Sequence, residues 1–324
     1  MTDLARALWT IQPGRVQWRA MQVAPPAPGE LQLRALMSGL SRGTERLIFQ
    51  GQIPKSEWER MRCPFQEGEF PFPVKYGYAM VGQVEAGPAH LIGQRMFSLY
   101  PHQSLFNIPA EAAIPVPDAI PTARAVLAPQ METALNATWD AEPQAGDRIA
   151  VVGAGVIGLL TAYLCAQRAG AATVIDINPE RAALARALGL DFAPPNQAPT
   201  DCDLVFHASA TSAGLNLALS LAKFEATVIE LSWYGDKPVG VDLGGAFHSQ
   251  RLTLKASQVG HVAPSHRAHW DHRRRLAEAL SLCADPRLDA LVSRSTPFVD
   301  IPERLGSILG DPDTLCHLIH YEEP

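Results

Sequence analysis

The run IAVVGAGVIGLLTAYLCA, residues 149–166, limits the fold more than any other stretch of the chain. It is apolar enough to suggest a membrane span, yet three glycines at fixed spacing interrupt it. A buried strand, a turn and a buried helix account for it better. Gly153, Gly155 and Gly158 form the pattern GxGxxG between that strand and that helix. The first glycine allows a tight turn, the second lets backbone approach a pyrophosphate, and the third lets helix and strand pack closely. Val156 and Ile157 open the helix, whose unpaired N–H groups and dipole attract phosphate. The motif alone is weak, but an acid follows at the end of the next strand: Asp176 in TVIDINPER. A carboxylate there accepts both hydroxyls of an adenosine ribose and repels a 2′-phosphate, which favours NAD(H) over NADP. Ile177 adjoins it on the cofactor side. Arg181, five residues on, keeps a phosphate-bearing ribose open as an alternative.

The surrounding sequence alternates strand and helix. Strands are expected at RIAVVG, ATVIDI, LVFHAS, ATVIELSW and LTLKASQVG, with helices at VIGLLTAYLCAQRAG, PERAALARALG and AGLNLALSLA. Repeated βα units with nearly continuous apolar strands imply a parallel sheet covered on both faces. Before residue 122 the pattern differs, with β-type runs such as LQLRALMSGL, PVKYGYAMVGQVEAG and RMFSLY broken by Pro and Gly. The segment TARAVLAPQMETALNATWDA reads as a helix pair. After 261 come a helix at RRRLAEALSLCA and Pro-punctuated strands that are expected to pack back on the first domain. The expected organisation is a β-rich domain at 1–121, a nucleotide-binding domain at 122–261 and a returning segment at 262–324.

Composition narrows the function. With 27 basic against 33 acidic residues, nothing supports nucleic-acid binding. The basic cluster HRRRL at 272–276 reads as a solvated helix face. Five scattered cysteines with no CxxC pair, and a start without an export signal, suggest reduced thiols in the cytoplasm. No membrane partner is expected.

The segments APPAPGELQLRALMSG, GTERLIFQG (43–51), KYGYAMVGQVEAG, METAL (131–135), GAGVIG and DINPER, in this order, resemble the medium-chain dehydrogenase/reductase superfamily of zinc alcohol dehydrogenase type. The front motif is also similar to that of bacteriochlorophyllide dehydrogenases. The resemblance implies an α/β fold: a GroES-like β-rich substrate domain and a Rossmann domain with a doubly wound parallel sheet. It also implies a homodimer acting on a small molecule.

The departures from the family pattern bear on the chemistry. Zinc members carry a cysteine before the GTD-like triplet, a histidine after the glycine of the GHE run, and a third ligand shortly before METAL. Here those places hold Arg42, Tyr78 and the neighbourhood of Pro129, and the four-cysteine structural lobe is missing. The expectation is therefore a zinc-free branch with no metal site. A fixed cation or hydrogen-bond donors must then stabilise charge on the substrate oxygen. Thr44, at the superfamily's proton-relay position, and Tyr78 are the candidate proton donors, with Arg42 as the cation. The plainer readings are a salt bridge from Arg42 to Glu45 and simple packing for Tyr78. Lys75, three residues before Tyr78 on a strand, is expected to point the other way.

Thr133 is implied to help seat the nicotinamide. Glu132 beside it is a candidate substrate contact, or an ordinary first-turn acid. Ser209 and Ser232 end successive strands, where open α/β sheets bind ligands, and are assigned to the cofactor. His207 is either a structural partner or a base. Trp233, next to Tyr234, suits a flat or bulky substrate. His266, His269 and His272 recur every three residues, a spacing that drifts around a helix and does not favour a metal. The leading expectation is a zinc-independent NAD(H) oxidoreductase acting on a secondary alcohol or ketone. The alternatives are an NADPH quinone or enoyl reductase and a non-catalytic NAD(H)-binding sensor.

Overall fold

The computed structural model describes residues 3–321. The chain divides into two compact units, one of residues up to Pro129 together with those from Val292 on, the other Gln130–Leu291. Residues 262–291, expected with the returning segment, thus pack within the second unit. Helix His272–Leu282 turns Leu276, Ala279 and Leu280 inward there, so its apolar face is buried before the chain returns.

The second unit is built on six parallel strands in the order Asp191–Ala193, Thr173–Ile175, Ile149–Val152, Cys202–His207, Ala222–Glu230, Thr253–Ala256. The chain starts in the middle, moves outward to one side, then crosses to the other. That reversal lies between Ile149–Val152 and Cys202–His207, the point at which doubly wound sheets bind ligands. All four residues of Ile149–Val152 are buried, as a strand covered on both faces requires. Ala150, Val205, Ala218, Leu219 and Val228 form one core with it. Helix Val156–Ala169 ends at Gly170, whose left-handed conformation (φ 98°) closes it.

The first unit carries a sheet in which the last strand, Cys316–His320, pairs antiparallel with Glu30–Ser41. Ser41 lies opposite Cys316, so the returning segment braces the strand end from which helix Arg42–Gln50 departs. Leu40, Phe49, Ile301, Leu305 and Ile319 share one core and join that helix, helix Ile301–Gly310 and the returning strand. Met80–Ala86 flanks Glu30–Ser41 on its other side. No helix among the described residues is long and apolar enough to cross a membrane.

Candidate functional site

In the second unit, the glycine turn has the geometry its spacing predicts. Gly153 has φ 110° and donates its N–H to Ile175 O at 2.8 Å; a Cβ there would stand 2.8 Å from Ser209 N. A Cβ on Gly158 would lie 1.8 Å from Gly153 O, so helix and turn touch backbone to backbone. Gly155, by contrast, is exposed and has open space where a side chain would sit. It caps helix Val156–Ala169, and Leu159 N–H makes the first helical bond to its carbonyl. The amides of Val156, Ile157 and Gly158 precede that bond and have no helical acceptor. The turn is thus closed underneath and open above, a cradle fit for an anionic diphosphate.

Asp176 stands at the end of strand Thr173–Ile175. Its Oδ2 accepts Ala154 N–H at 2.7 Å and its Oδ1 accepts Asn178 N–H at 2.8 Å. Each carboxylate oxygen can accept twice, so one lone pair on each remains for hydroxyl donors. Ile177 beside it is 87% exposed. Arg181 is buried as the first residue of helix Arg181–Ala187, and Thr133 is half-buried in helix Ala128–Ala141.

His207 ends strand Cys202–His207, fully buried. Its Nδ1 lies 2.8 Å from Glu230 Oε2 and its Nε2 2.7 Å from Ser209 Oγ. Hydrogen bonds from His207 and from the Ser232 amide hold the Glu230 carboxyl below its usual range against the opposing effect of burial. Ionised Glu230 also accepts the Tyr234 hydroxyl at 3.0 Å. An ionised acceptor at Nδ1 puts the ring proton there, and Nε2 then accepts the Ser209 hydroxyl. Ser232 Oγ accepts Ala210 N–H at 3.1 Å, tying the two strand ends together, with Trp233 half-buried next to it. His207 is therefore a structural partner of Ser209 and Glu230.

Glu132 needs correcting. It sits in the second turn of helix Ala128–Ala141, buried, with Oε1 accepting from Arg275 Nε at 3.0 Å. Arg275 is 1% exposed and also bonds Asn136 and the carbonyls of Val259 and His261. The expected substrate contact is thus one half of a buried ion pair. For the same reason HRRRL is not wholly a solvated face: Arg273 and Arg274 are exposed, and Arg275 is core. His266 stacks on Trp139 (centroids 4.1 Å apart), and His272 opens a helix with its Nε2 2.9 Å from Gly260 O. Among the described residues no three His, Cys, Asp or Glu side chains gather as a metal site.

In the first unit, burial raises the Tyr78 pKa well above the phenol range, while the neighbouring side chains of Ser41 and Thr44 act in the opposite direction. Its ring meets Tyr76 edge-on, centroids 5.9 Å apart. Arg42 is the first residue of the helix that carries Thr44. The ligand positions of the zinc family thus present a guanidinium and a neutral phenol, and neither fits a zinc ion. Lys75 is turned elsewhere, to Glu67 and to Gln103 Oε1 at 2.7 Å.

Sequence reasoning missed what holds this cluster in place. Glu45 Oε1 accepts Ser41 N–H at 2.8 Å, and its Oε2 lies 3.0 Å from His102 Nε2. His102 Nδ1 is 2.8 Å from Ser38 Oγ, which is 3.0 Å from Tyr321 OH. Gly77 has φ 131°, and a Cβ on it would stand 3.0 Å from the His102 ring. Cys63 donates to Gly77 O at 3.4 Å, its thiol pushed up to about 12 by burial. A cavity of about 20 Å³, room for a single water, borders Thr10, Glu45, Tyr76 and His102. The sequence signal was faint: an acid in GTE and a lone histidine after a proline.

No family model matches the chain. An uncharacterized zinc-type alcohol dehydrogenase-like protein of Haemophilus influenzae is 22% identical over 226 residues, 65% of this chain and 62% of that protein. The match therefore spans under two thirds of that relative. The 2-desacetyl-2-hydroxyethyl bacteriochlorophyllide A dehydrogenase of Cereibacter sphaeroides is 26% identical over 326 residues, 94% of each chain. Among solved structures, L-idonate 5-dehydrogenase from Escherichia coli superposes with a TM-score of 0.80 at 14% identity, covering 99% of both chains. A short chain alcohol dehydrogenase from E. coli CFT073, complexed with NADH, gives 0.76 at 17%, covering 98% of this chain and 99% of that one. The relatives are zinc-type alcohol dehydrogenase-like, and the fold is that of alcohol dehydrogenases.

Proposed function

We propose that this chain is an NAD(H)-dependent oxidoreductase that interconverts a secondary alcohol and a ketone without zinc. The observation that carries the reading is Asp176, joined to the glycine turn through Ala154 N–H while keeping lone pairs for a diol. The Gly155 cradle suits the diphosphate, and exposed Ile177 supplies an apolar surface for a flat ring. When bound, the cofactor gives or takes the hydride.

The chain's own residues handle the proton. In the reducing direction the carbonyl oxygen gains a proton from Tyr78 Oη or from its neighbour Thr44 Oγ1. Burial keeps the phenol protonated across the neutral range but also makes it a weak acid, so proton transfer depends on positive potential beside it. Arg42, two residues before Thr44, supplies positive potential for the oxygen and for a transient phenolate. None of the five cysteines forms a disulfide, and four are buried, which suits the reducing cytoplasm. We assign it a homodimeric state by analogy with the superfamily. An NADPH-dependent quinone or enoyl reductase is disfavoured by the Asp176 carboxylate. Titrating NADH and NADPH by nicotinamide fluorescence tests this: NADH should bind at least tenfold more tightly, and equal affinities would refute the assignment.

A further inference from the structure

A second concave site lies in the first unit, along edge strand Val292–Pro297 and helix Ile301–Gly310 and reaching Thr314 and His317. Its volume is about 280 Å³, close to the lower end for small-molecule pockets. Ile308 is the one apolar residue of the lining, although side-chain methyls and methylenes leave its polar and apolar surface about equal. Two guanidiniums, Arg294 and Arg304, face one carboxylate, Asp311, which lies 3.5 Å from Arg294. Among the described residues Arg304 has no acidic partner. The local balance is positive on a chain whose net charge is −6.

Three of the lining side chains are polar and more than nine-tenths buried: Thr296 at 9% exposed, Thr314 at 8% and His317 at 4%. Thr296 Oγ1 lies 2.8 Å from His317 Nε2. Thr314 has no side-chain hydrogen bond among the described residues, although it lines the site. That hydroxyl is not one of the buried unpartnered polar atoms, so it opens onto the groove, where water or a ligand can pair with it. Burial, and secondarily Arg294, lower the His317 pKa, so the ring is neutral at pH 7. With the Thr296 hydroxyl donating to Nε2, the ring proton sits on Nδ1 as a further donor.

We propose that this groove binds a small phosphorylated polyol, with Arg294 and Arg304 on the phosphate and Thr296, Thr314 and His317 on its hydroxyls. Guanidinium forks match phosphate oxygens in pairs. A single phosphate leaves most of the volume and the hydroxyl-lined part unused. The inference does not depend on the oxidoreductase reading, because none of these residues belongs to the nucleotide turn or to the Tyr78 cluster.

The test is calorimetric titration of the full-length protein with ribose 5-phosphate, with inorganic phosphate and free ribose as separate arms. Ribose 5-phosphate should bind at least tenfold more tightly than either fragment. The double variant Arg294→Ala/Arg304→Ala should lose at least tenfold in affinity while keeping the wild-type thermal transition, since both side chains are exposed. Thr314→Val, which keeps the side-chain shape, should weaken binding severalfold. Binding unchanged in the double variant would put the anion elsewhere, for instance on the glycine turn, and overturn the proposal. So would no binding at all, or inorganic phosphate binding as tightly as the sugar phosphate.

Discussion

The Nε2 of His102 lies 3.0 Å from Oε2 of Glu45, while the other oxygen of that carboxylate accepts the Ser41 amide at 2.8 Å. One buried acid thereby joins the start of the helix bearing Arg42 and Thr44 to the loop bearing Tyr78. The His102 ring lies against Gly77, and its backbone N–H reaches Tyr76 O at 3.4 Å. Glu45 therefore positions the site rather than acting in it.

Glu45→Ala leaves the Ser41 amide and His102 without their acceptor. An unsatisfied buried group costs about 1–3 kcal/mol, so the variant should lose about 2 kcal/mol or more, measured by urea unfolding. Glu45→Gln, which can still pair with both, should recover much of that. A loss below about 0.5 kcal/mol for Glu45→Ala would place the helix start under other control.

Tyr78→Phe keeps the edge-on contact with Tyr76 and removes only the hydroxyl. Loss of a general acid costs roughly 10²–10⁴-fold in rate. We expect kcat to fall by about 10²-fold or more with KM nearly unchanged, measured on whichever carbonyl substrate turns over. Unchanged kcat would remove Tyr78 from the proton path and leave Thr44.

Glu132→Gln strands the Arg275 charge in the core. Breaking a buried ion pair from one side costs about 3–5 kcal/mol. The variant should unfold at clearly lower urea, and the fraction that folds should keep its substrate KM. A changed KM with full stability would restore Glu132 as a substrate contact.

Alkaline pH should weaken the fold by a defined route. Burial pushes the thiols of Cys63, Cys165 and Cys316 from 9.0 up to about 12. The folded chain holds these protons where the unfolded chain has released them. Stability from this source is therefore complete below pH 9 and is lost as pH rises from about 9 to about 12. Each thiol adds a slope of about 1.4 kcal/mol per pH unit. Unfolding midpoints measured from about pH 8 to about pH 10 should fall, and Cys165→Ala should make the decline shallower. A flat profile would show that these thiols are not held protonated.

The nucleotide half was legible in sequence because its signals are local. Gly153, Gly155 and Gly158 act within six residues of one another, and the strands are continuous apolar runs. Strand Asp191–Ala193 escaped because it opens on an exposed Asp and runs into two prolines, unlike the equally short but apolar Thr173–Ile175. The Tyr78 cluster was legible only as a set of departures from a family pattern. Its support comes from His102, 57 residues from Glu45, and from Tyr321, 283 residues from Ser38. Nothing near a lone histidine announces such a partner. Glu132 was misjudged for the same reason, its counter-charge Arg275 lying 143 residues further along. The fold brings these pairs together, and no spacing rule anticipates them.

The central claim is carbonyl reduction by NADH without zinc. The most direct measurement is NADH oxidation across ketones, aldehydes, quinones and enones, before and after chelation, with zinc content assayed in the same samples. The account predicts turnover of a ketone, undiminished by chelation, on protein holding far less than one zinc per chain. Turnover lost on chelation and restored by zinc would contradict it, as would NADH binding with no oxidation by any carbonyl.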